Sequence, residues 1–182
     1  MIRAEFIVLP SEAGATGALG ADPPVVSIWL RGFVYLPKFK KAKQVNFIVD
    51  TGAQGSTLDM SDAKLMVPRK SLFEGHRMSK PRSLVGIGGS GRYYPEEATV
   101  FLQHEGGKVD IISQIIDIPV ATKKTWDTVL GSILGMDILS RYRLTVDFSK
   151  QIAVLEYPTG NQPGPPVGPE SLAPQMPLQG GR

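Results

Sequence analysis

The sequence predicts an all-β domain with a barrel-like arrangement of strands, and three observations carry that prediction. Three pairs of β-branched and aromatic runs are each joined by a short turn-forming segment. Helical periodicity is confined to a few short stretches. Glycine and proline, 20 and 15 residues, punctuate the chain, and many short strands with such turns are the pattern of a barrel or sandwich.

Taken in order, a β-prone piece over residues 2–9 comes first. Residues 11–24, SEAGATGALGADPP, are small and aperiodic and read as a flexible linker, so 1–24 form an N-terminal strand-like piece plus linker. The domain proper spans 25–157. Within it, residues 25–36 and 44–50 flank the lysine-rich segment 37–43 and predict a hairpin. Residues 97–103 and 108–116 flank His104-Glu-Gly-Gly107 and predict a second. Residues 143–148 and 152–156 flank Ser149-Lys-Gln and predict a third. Short helices are expected over 61–66 and over 136–141, where Ile138 and Leu139 would face the core. The last 25 residues, 158–182, hold seven prolines and five glycines and no apolar pattern, so they read as a disordered or polyproline-like tail.

Composition narrows the chemistry. A chain of 182 residues with 42% hydrophobic and 20% charged residues can bury one working core. With no cysteine, it has no disulfide, thiolate metal site or cysteine nucleophile. Two histidines, His76 and His104, leave little for a histidine metal site or a Ser-His triad. Acid–base chemistry is therefore expected from carboxylates. A net charge of +3 is too mild to imply nucleic acid. No apolar run approaches a membrane span, and the patch at 6–9, preceded by Arg3 and Glu5, argues against a secretory leader, so a cytoplasmic location is expected.

Three segments carry candidate function. In Phe47-Ile-Val-Asp-Thr-Gly-Ala53 an apolar strand delivers Asp50 to its end, and Thr51-Gly52 then forces a tight turn. A carboxylate in that place needs hydrogen bonds, which the N–H groups and hydroxyl of the turn can supply. By itself such an aspartate can simply cap a turn. The second segment is Val85-Gly-Ile-Gly-Gly-Ser-Gly91, and the third is Ser132-Ile-Leu-Gly-Met-Asp-Ile-Leu139.

In this order and context the three segments resemble the retropepsins, the single-domain aspartic proteases of retroviruses and their cellular relatives. That family has Asp-Thr-Gly-Ala after an apolar strand, a Gly-Ile-Gly-Gly flap tip, and two apolar residues and Gly ahead of a short helix. The resemblance covers about residues 25–157 and implies a closed β-barrel of the acid-protease type with one short helix near the C-terminal end of the domain. It implies that Asp50 is the catalytic carboxylate, that the Thr51 hydroxyl bonds across a two-fold axis, and that Gly52 completes the catalytic turn. Ala53, Gly86, Ile87, Gly88 and Gly89 would meet substrate, with the Ile87 N–H near a bridging water. Ile133-Leu134-Gly135 would pack beneath the catalytic loop, and Asp137 would tie the short helix to the core. The stretches from Asp50 to the flap and from the flap to Gly135 are longer than in compact viral enzymes.

Other readings meet physical objections. Gly86-Ile-Gly-Gly-Ser-Gly91 fits a dinucleotide-binding glycine pattern, but that mechanism needs a helix N-terminus after the glycines. Here Arg92-Tyr-Tyr-Pro95 and a β-prone run follow. A phosphorylated Asp50 would lack a companion aspartate, since Gly52 takes that place. Lys38, Lys40, Lys41 and Lys43 read as a solvated hairpin tip and not as a phosphate site. Of Tyr93 and Tyr94, strand alternation sends one into the core. His76, Trp29 and Trp126 read as structural, and the proline-rich tail as passive.

The expected function is aspartic endopeptidase activity on a peptide or protein substrate, in a homodimer. Two carboxylates must share one proton across the active site, and the chain supplies one. No metal or organic cofactor, nucleic acid or membrane partner is expected. The alternative is a catalytically silent dimerisation or peptide-binding module on the same fold.

Overall fold

The computed structural model describes residues 1–9, 25–86, 89–127 and 130–158. The linker at 11–24 and the tail beyond Pro158 lie outside the described residues.

Strands dominate. β1 (Ile2–Leu9) is followed by β2 (Val25–Leu36), which turns through a 3-10 segment, Pro37–Phe39, into the antiparallel β3 (Lys41–Val49). Lys40 closes that turn in the left-handed conformation. β4 (Arg82–Gly86), β5 (Gly89–Gln103) and β6 (Val109–Pro119) form an antiparallel meander. β7 (Ser132–Leu134) is short, and β8 (Arg143–Asp147) and β9 (Ile152–Glu156) form the last hairpin. The three hairpins expected from the sequence are all present, and the first alternates a buried face with an outward one: Leu30, Val34 and Leu36 on β2 are buried, with Arg31, Phe33 and Tyr35 between them.

The sheet follows the order β4-β5-β2-β1-β9-β8, with β3 added to β2, β7 to β3 and β6 to β5. Among the described residues no pairing closes this path by hydrogen bonds, so closure into a barrel is not seen. β1 lies between β2 and β9, with Ile2 opposite Leu155, and buries Ile2 and Ala4 in the common core.

Helices are more numerous than the one short helix implied by the resemblance. α1 (Met60–Met66) and α3 (Met136–Leu139) fall where periodicity placed them. α2 (Arg69–Glu74) was not expected; it starts at Pro68 and stops at Gly75, whose φ of +71° suits glycine. Six residues burying only Ser71 and Leu72 are too few to show a period. No helix among the described residues is long and apolar enough to cross a membrane.

Candidate active site

Phe47 is fully buried and anchors the end of β3. On its outer edge β3 runs parallel to β7, with Val49 opposite Leu134, and the ladder extends one residue further as the Asp50 N–H donates to the Leu134 carbonyl at 3.1 Å. There the chain turns. The Gly52 N–H donates to Asp50 Oδ1 at 2.8 Å, and the Ala53 N–H to the Asp50 carbonyl at 3.3 Å. A Cβ on Gly52 would sit 3.2 Å from Asp50 Oδ1, close enough that the carboxylate would have to give by a few tenths of an ångström. Asp50 and Ala53 are half-buried, while Thr51 and Gly52 are exposed.

After the turn, the loop is clamped from two sides. The Ala53 and Gln54 carbonyls accept from the Met136 and Asp137 N–H groups at 2.8 and 3.1 Å, seating the start of α3 on the loop. A Cβ on Gly135 would lie 2.6 Å from the carbonyl carbon and oxygen of Gly55, so this contact admits only glycine. The Asp137 carboxylate accepts from the Ser56 N–H at 3.0 Å, the Ser56 hydroxyl at 2.7 Å and the Gln114 amide at 3.1 Å. Ser56 Oγ in turn accepts from the Gly135 N–H at 3.0 Å. Residues 56–58 then run between β6 and β7: Thr57 exchanges two backbone bonds with Ile133, and Asp117 N–H and C=O meet the Ser56 carbonyl and the Leu58 N–H.

Asp137 therefore ties α3 to the loop that follows Asp50, where the resemblance had it tie the helix to the core, and Ile133-Leu134-Gly135 lies against that loop. Ser56 and Gln114, which complete the clamp, escaped the sequence reading because their partner lies far along the chain.

The glycine-rich segment sits where β4 turns into β5. The ladder runs from Arg82 opposite Tyr93 to Gly86 opposite Gly89, and Ile87 and Gly88, between them, lie outside the described residues. A hairpin with no following helix does not form a pyrophosphate cradle. A Cβ on Gly91 would fall 2.7 Å from the Tyr93 ring, so glycine lets that ring fold along the strand. Tyr94 is the tyrosine in the core, and burial raises its hydroxyl pKa. Tyr93, with Thr57, Pro119, Leu130 and Ile133, lines a mostly apolar cavity of about 130 Å³. A second cavity, of about 260 Å³, is lined by Arg3, Arg31, Phe33 and Phe101, among others, and takes nothing from the Asp50 loop.

The remaining charged groups near the loop are paired. Asp59 caps α1, accepting from the Asp62 N–H at 2.9 Å and the Ser61 hydroxyl at 2.7 Å. Lys43 pairs with Asp62, and Lys38 with the buried Glu96, so two of the four lysines at the first hairpin are engaged in the fold. Arg82 grips the buried Asp117 through Nε at 2.9 Å and a terminal nitrogen at 2.6 Å, and that hydrogen bonding raises the guanidinium pKa. Trp126 packs on Phe73 with Lys64 over its ring, a structural role. Among the described residues no group of three or more His, Asp or Glu side chains is placed to hold a metal ion.

No protein-family model matches the chain, and no curated protein matches it. Among solved structures, its fold is similar to that of a retropepsin-like aspartic protease from Rickettsia conorii, at 17% identity over 86% of this chain and 94% of that one, with a TM-score of 0.46. It is also similar to the retroviral protease-like domain of Ddi1 from Leishmania major, at 16% identity over 73% of this chain and 96% of that one, with a TM-score of 0.36. Neither similarity carries a residue's role to this chain.

Proposed function

We propose that the chain is an aspartic endopeptidase whose active site forms between two copies, each contributing Asp50. The supporting observation is the geometry of Asp50 itself. A strand anchored by the buried Phe47 delivers it, its own turn engages Oδ1, and a loop clamped by α3 and β7 holds it half-buried. Thr51, exposed beside it, is available to a second copy across an axis. Met136 on α3, Leu130 beside the apolar cavity and Val85 on β4 are all exposed, so a second copy and an extended substrate have apolar surface to cover.

In this reading one Asp50 carboxylate is ionised and its counterpart protonated, because two like charges about 3 Å apart do not both ionise. The ionised carboxylate takes a proton from a water, whose oxygen attacks the scissile carbonyl carbon. The protonated partner gives its proton to the carbonyl oxygen, yielding a gem-diol. As the C–N bond breaks, the proton taken from water passes to the leaving amine while one gem-diol hydroxyl gives its proton to the other carboxylate, so the pair again holds a single proton. Gly86, Ile87, Gly88 and Gly89 would close over substrate lying as an added strand, and Ala53 would floor the site. The cavity lined by Tyr93, Leu130 and Ile133 favours an apolar side chain.

A peptide-library digest at several pH values and protein concentrations tests this, with Asp50→Asn as control. The expected result is cleavage that vanishes in the variant and weakens on dilution. A folded dimer that cleaves nothing at any pH would establish the silent-module alternative.

A further inference from the structure

Asp117 is buried to 1% relative exposure, yet it is ionisable and lies on the strand that borders the Asp50 loop. Its backbone holds residues 56–58, and its Oδ2 would lie 3.7 Å from a Cβ on Gly55, so the carboxylate rests directly against that loop. Its counter-charge comes from another direction. Arg82 is the first residue of β4, the strand that ends at Gly86 beneath the glycine-rich tip. Arg82 pairs with Tyr93 on β5, and Asp117 with Pro95 on the same strand, so the guanidinium reaches over the face of β5 to close the pair. Half of the Arg82 side chain remains exposed.

A buried carboxylate stripped of its cation is strongly destabilised, whereas an arginine released to water is not. The two ends are therefore unequal: β4 can leave Asp117 only by uncovering a charge against the Asp50 loop. We propose that Arg82 and Asp117 form a latch that couples the position of the β4–β5 hairpin to the conformation of the catalytic loop, making both positioning residues. The proposal rests on the peptidase reading for its kinetic consequence, but not for its structural one. With the hairpin down, the pair is closed and residues 55–58 hold the Asp50 turn. With the pair broken, the loop loosens, so the position of β4 sets the order of the Asp50 turn. Bidentate geometry is essential to this, and lysine cannot reproduce it.

Two measurements test the latch, on Arg82→Met, Arg82→Lys, Asp117→Asn and the double variant Arg82→Met/Asp117→Leu. The first is amide hydrogen exchange, which needs no activity. Arg82→Met should speed exchange at the Leu58 and Asp117 amides while leaving the β8–β9 amides unchanged; uniform acceleration, or none, overturns the latch. The second is kinetics. Each single variant should lower kcat by about tenfold with a smaller change in KM, Arg82→Lys should not rescue, and the double variant should be no worse than either single, as expected for coupled neighbours. Multiplicative losses in the double variant, or wild-type kcat in Arg82→Met, overturn it. A wild-type protein that cleaves nothing but shows the exchange pattern would refute the peptidase reading and leave the latch standing.

Discussion

At the end of β3, Asp50 is half-buried and receives one hydrogen bond to its carboxylate, from the Gly52 N–H of its own turn. Near the start of β6, Asp110 is buried, and its Oδ2 is shared by His104 Nε2 at 2.8 Å and the Tyr142 hydroxyl at 2.9 Å. Burial, and then the bond to Asp110, push the Tyr142 hydroxyl far above its usual range, so it stays protonated and keeps donating. A carboxylate removed from water is stable only when its acceptor capacity is met. Asp110 receives His104 and Tyr142 within the chain and serves the core. Among the described residues Asp50 receives only the N–H of its own turn, on a loop clamped by α3 and β7. Rigid support beneath a carboxylate with capacity left over is what chemistry requires, whereas a fully engaged carboxylate is part of the packing.

Replacing the two aspartates separates these roles most sharply. Asp50→Asn should reduce turnover by roughly a thousandfold or more while leaving the melting temperature near wild type, since its partner is a single exposed-side N–H. Cleavage assays with thermal melts on the same sample give both readings. Substantial activity in the variant would remove Asp50 from the mechanism.

The clamp beneath Asp50 makes the next largest effect. Gly135→Ala places a methyl 2.6 Å from the Gly55 backbone, with no flexible side chain there to yield. Overpacking of this kind should cost about 3 kcal/mol. Denaturant unfolding would show it, and the surviving folded fraction should be impaired in turnover because the loop must shift. A neutral result would mean that the α3 junction is softer than its hydrogen bonds indicate.

Tyr142→Phe sharpens the other side of the comparison. It removes the Tyr142 donor from Asp110, leaving His104 and Tyr157, and should cost about 1 kcal/mol near neutral pH, with turnover unaffected. Because the folded-state pKa of Tyr142 lies above its unfolded value, its contribution is fully present below about pH 10 and declines as pH rises past that point. Above pH 10 the gap between wild type and variant should therefore narrow. Tyr94, also raised, is common to both proteins and cancels, whereas Tyr157, raised first by burial, is bonded to Tyr142 and responds to the substitution as well. A gap constant to pH 11 would show that the phenol titrates freely.

Much of this was legible in the sequence wherever the signal is local. β-Branched and aromatic runs joined by short turn segments placed the three hairpins, and apolar residues ahead of Asp-Thr-Gly placed Asp50 at a strand end. Gly135 followed from its family pattern, and its reason, the approach to Gly55, only from the structure. What stayed hidden depends on pairing across distance. Nothing in residues 2–9 says that Ile2 lies opposite Leu155. Nor does Ser56 announce a bond to Asp137, 81 residues on, or Arg82 one to Asp117. These polar residues carry no periodicity, and their partners are chosen by topology. α2 failed for a different reason: its boundary residues, Pro68 and Gly75, were visible, but six residues between them show no stripe.

The smallest expected effect concerns residues 158–182. Among the described residues the last strand ends at Glu156, and the last fully buried side chain is Leu155, opposite Ile2 on β1 and Leu144 on β8. Tyr157, half-buried, packs its ring 5.1 Å from Tyr142 and beside His104, so it belongs to the Asp110 cluster and must be kept. A chain ending at Tyr157 loses seven prolines, five glycines and no residue of the described core. Its melting temperature should stay within about 2 °C of the full chain, no more than a loss of 1 kcal/mol produces in a domain this size. Cleavage of a test peptide should be equally unaffected. A drop beyond 5 °C, roughly 2 kcal/mol on the same scale, would mean that the tail packs on the folded domain, and the aromatic contacts around Tyr157 would be the first place to look for its path.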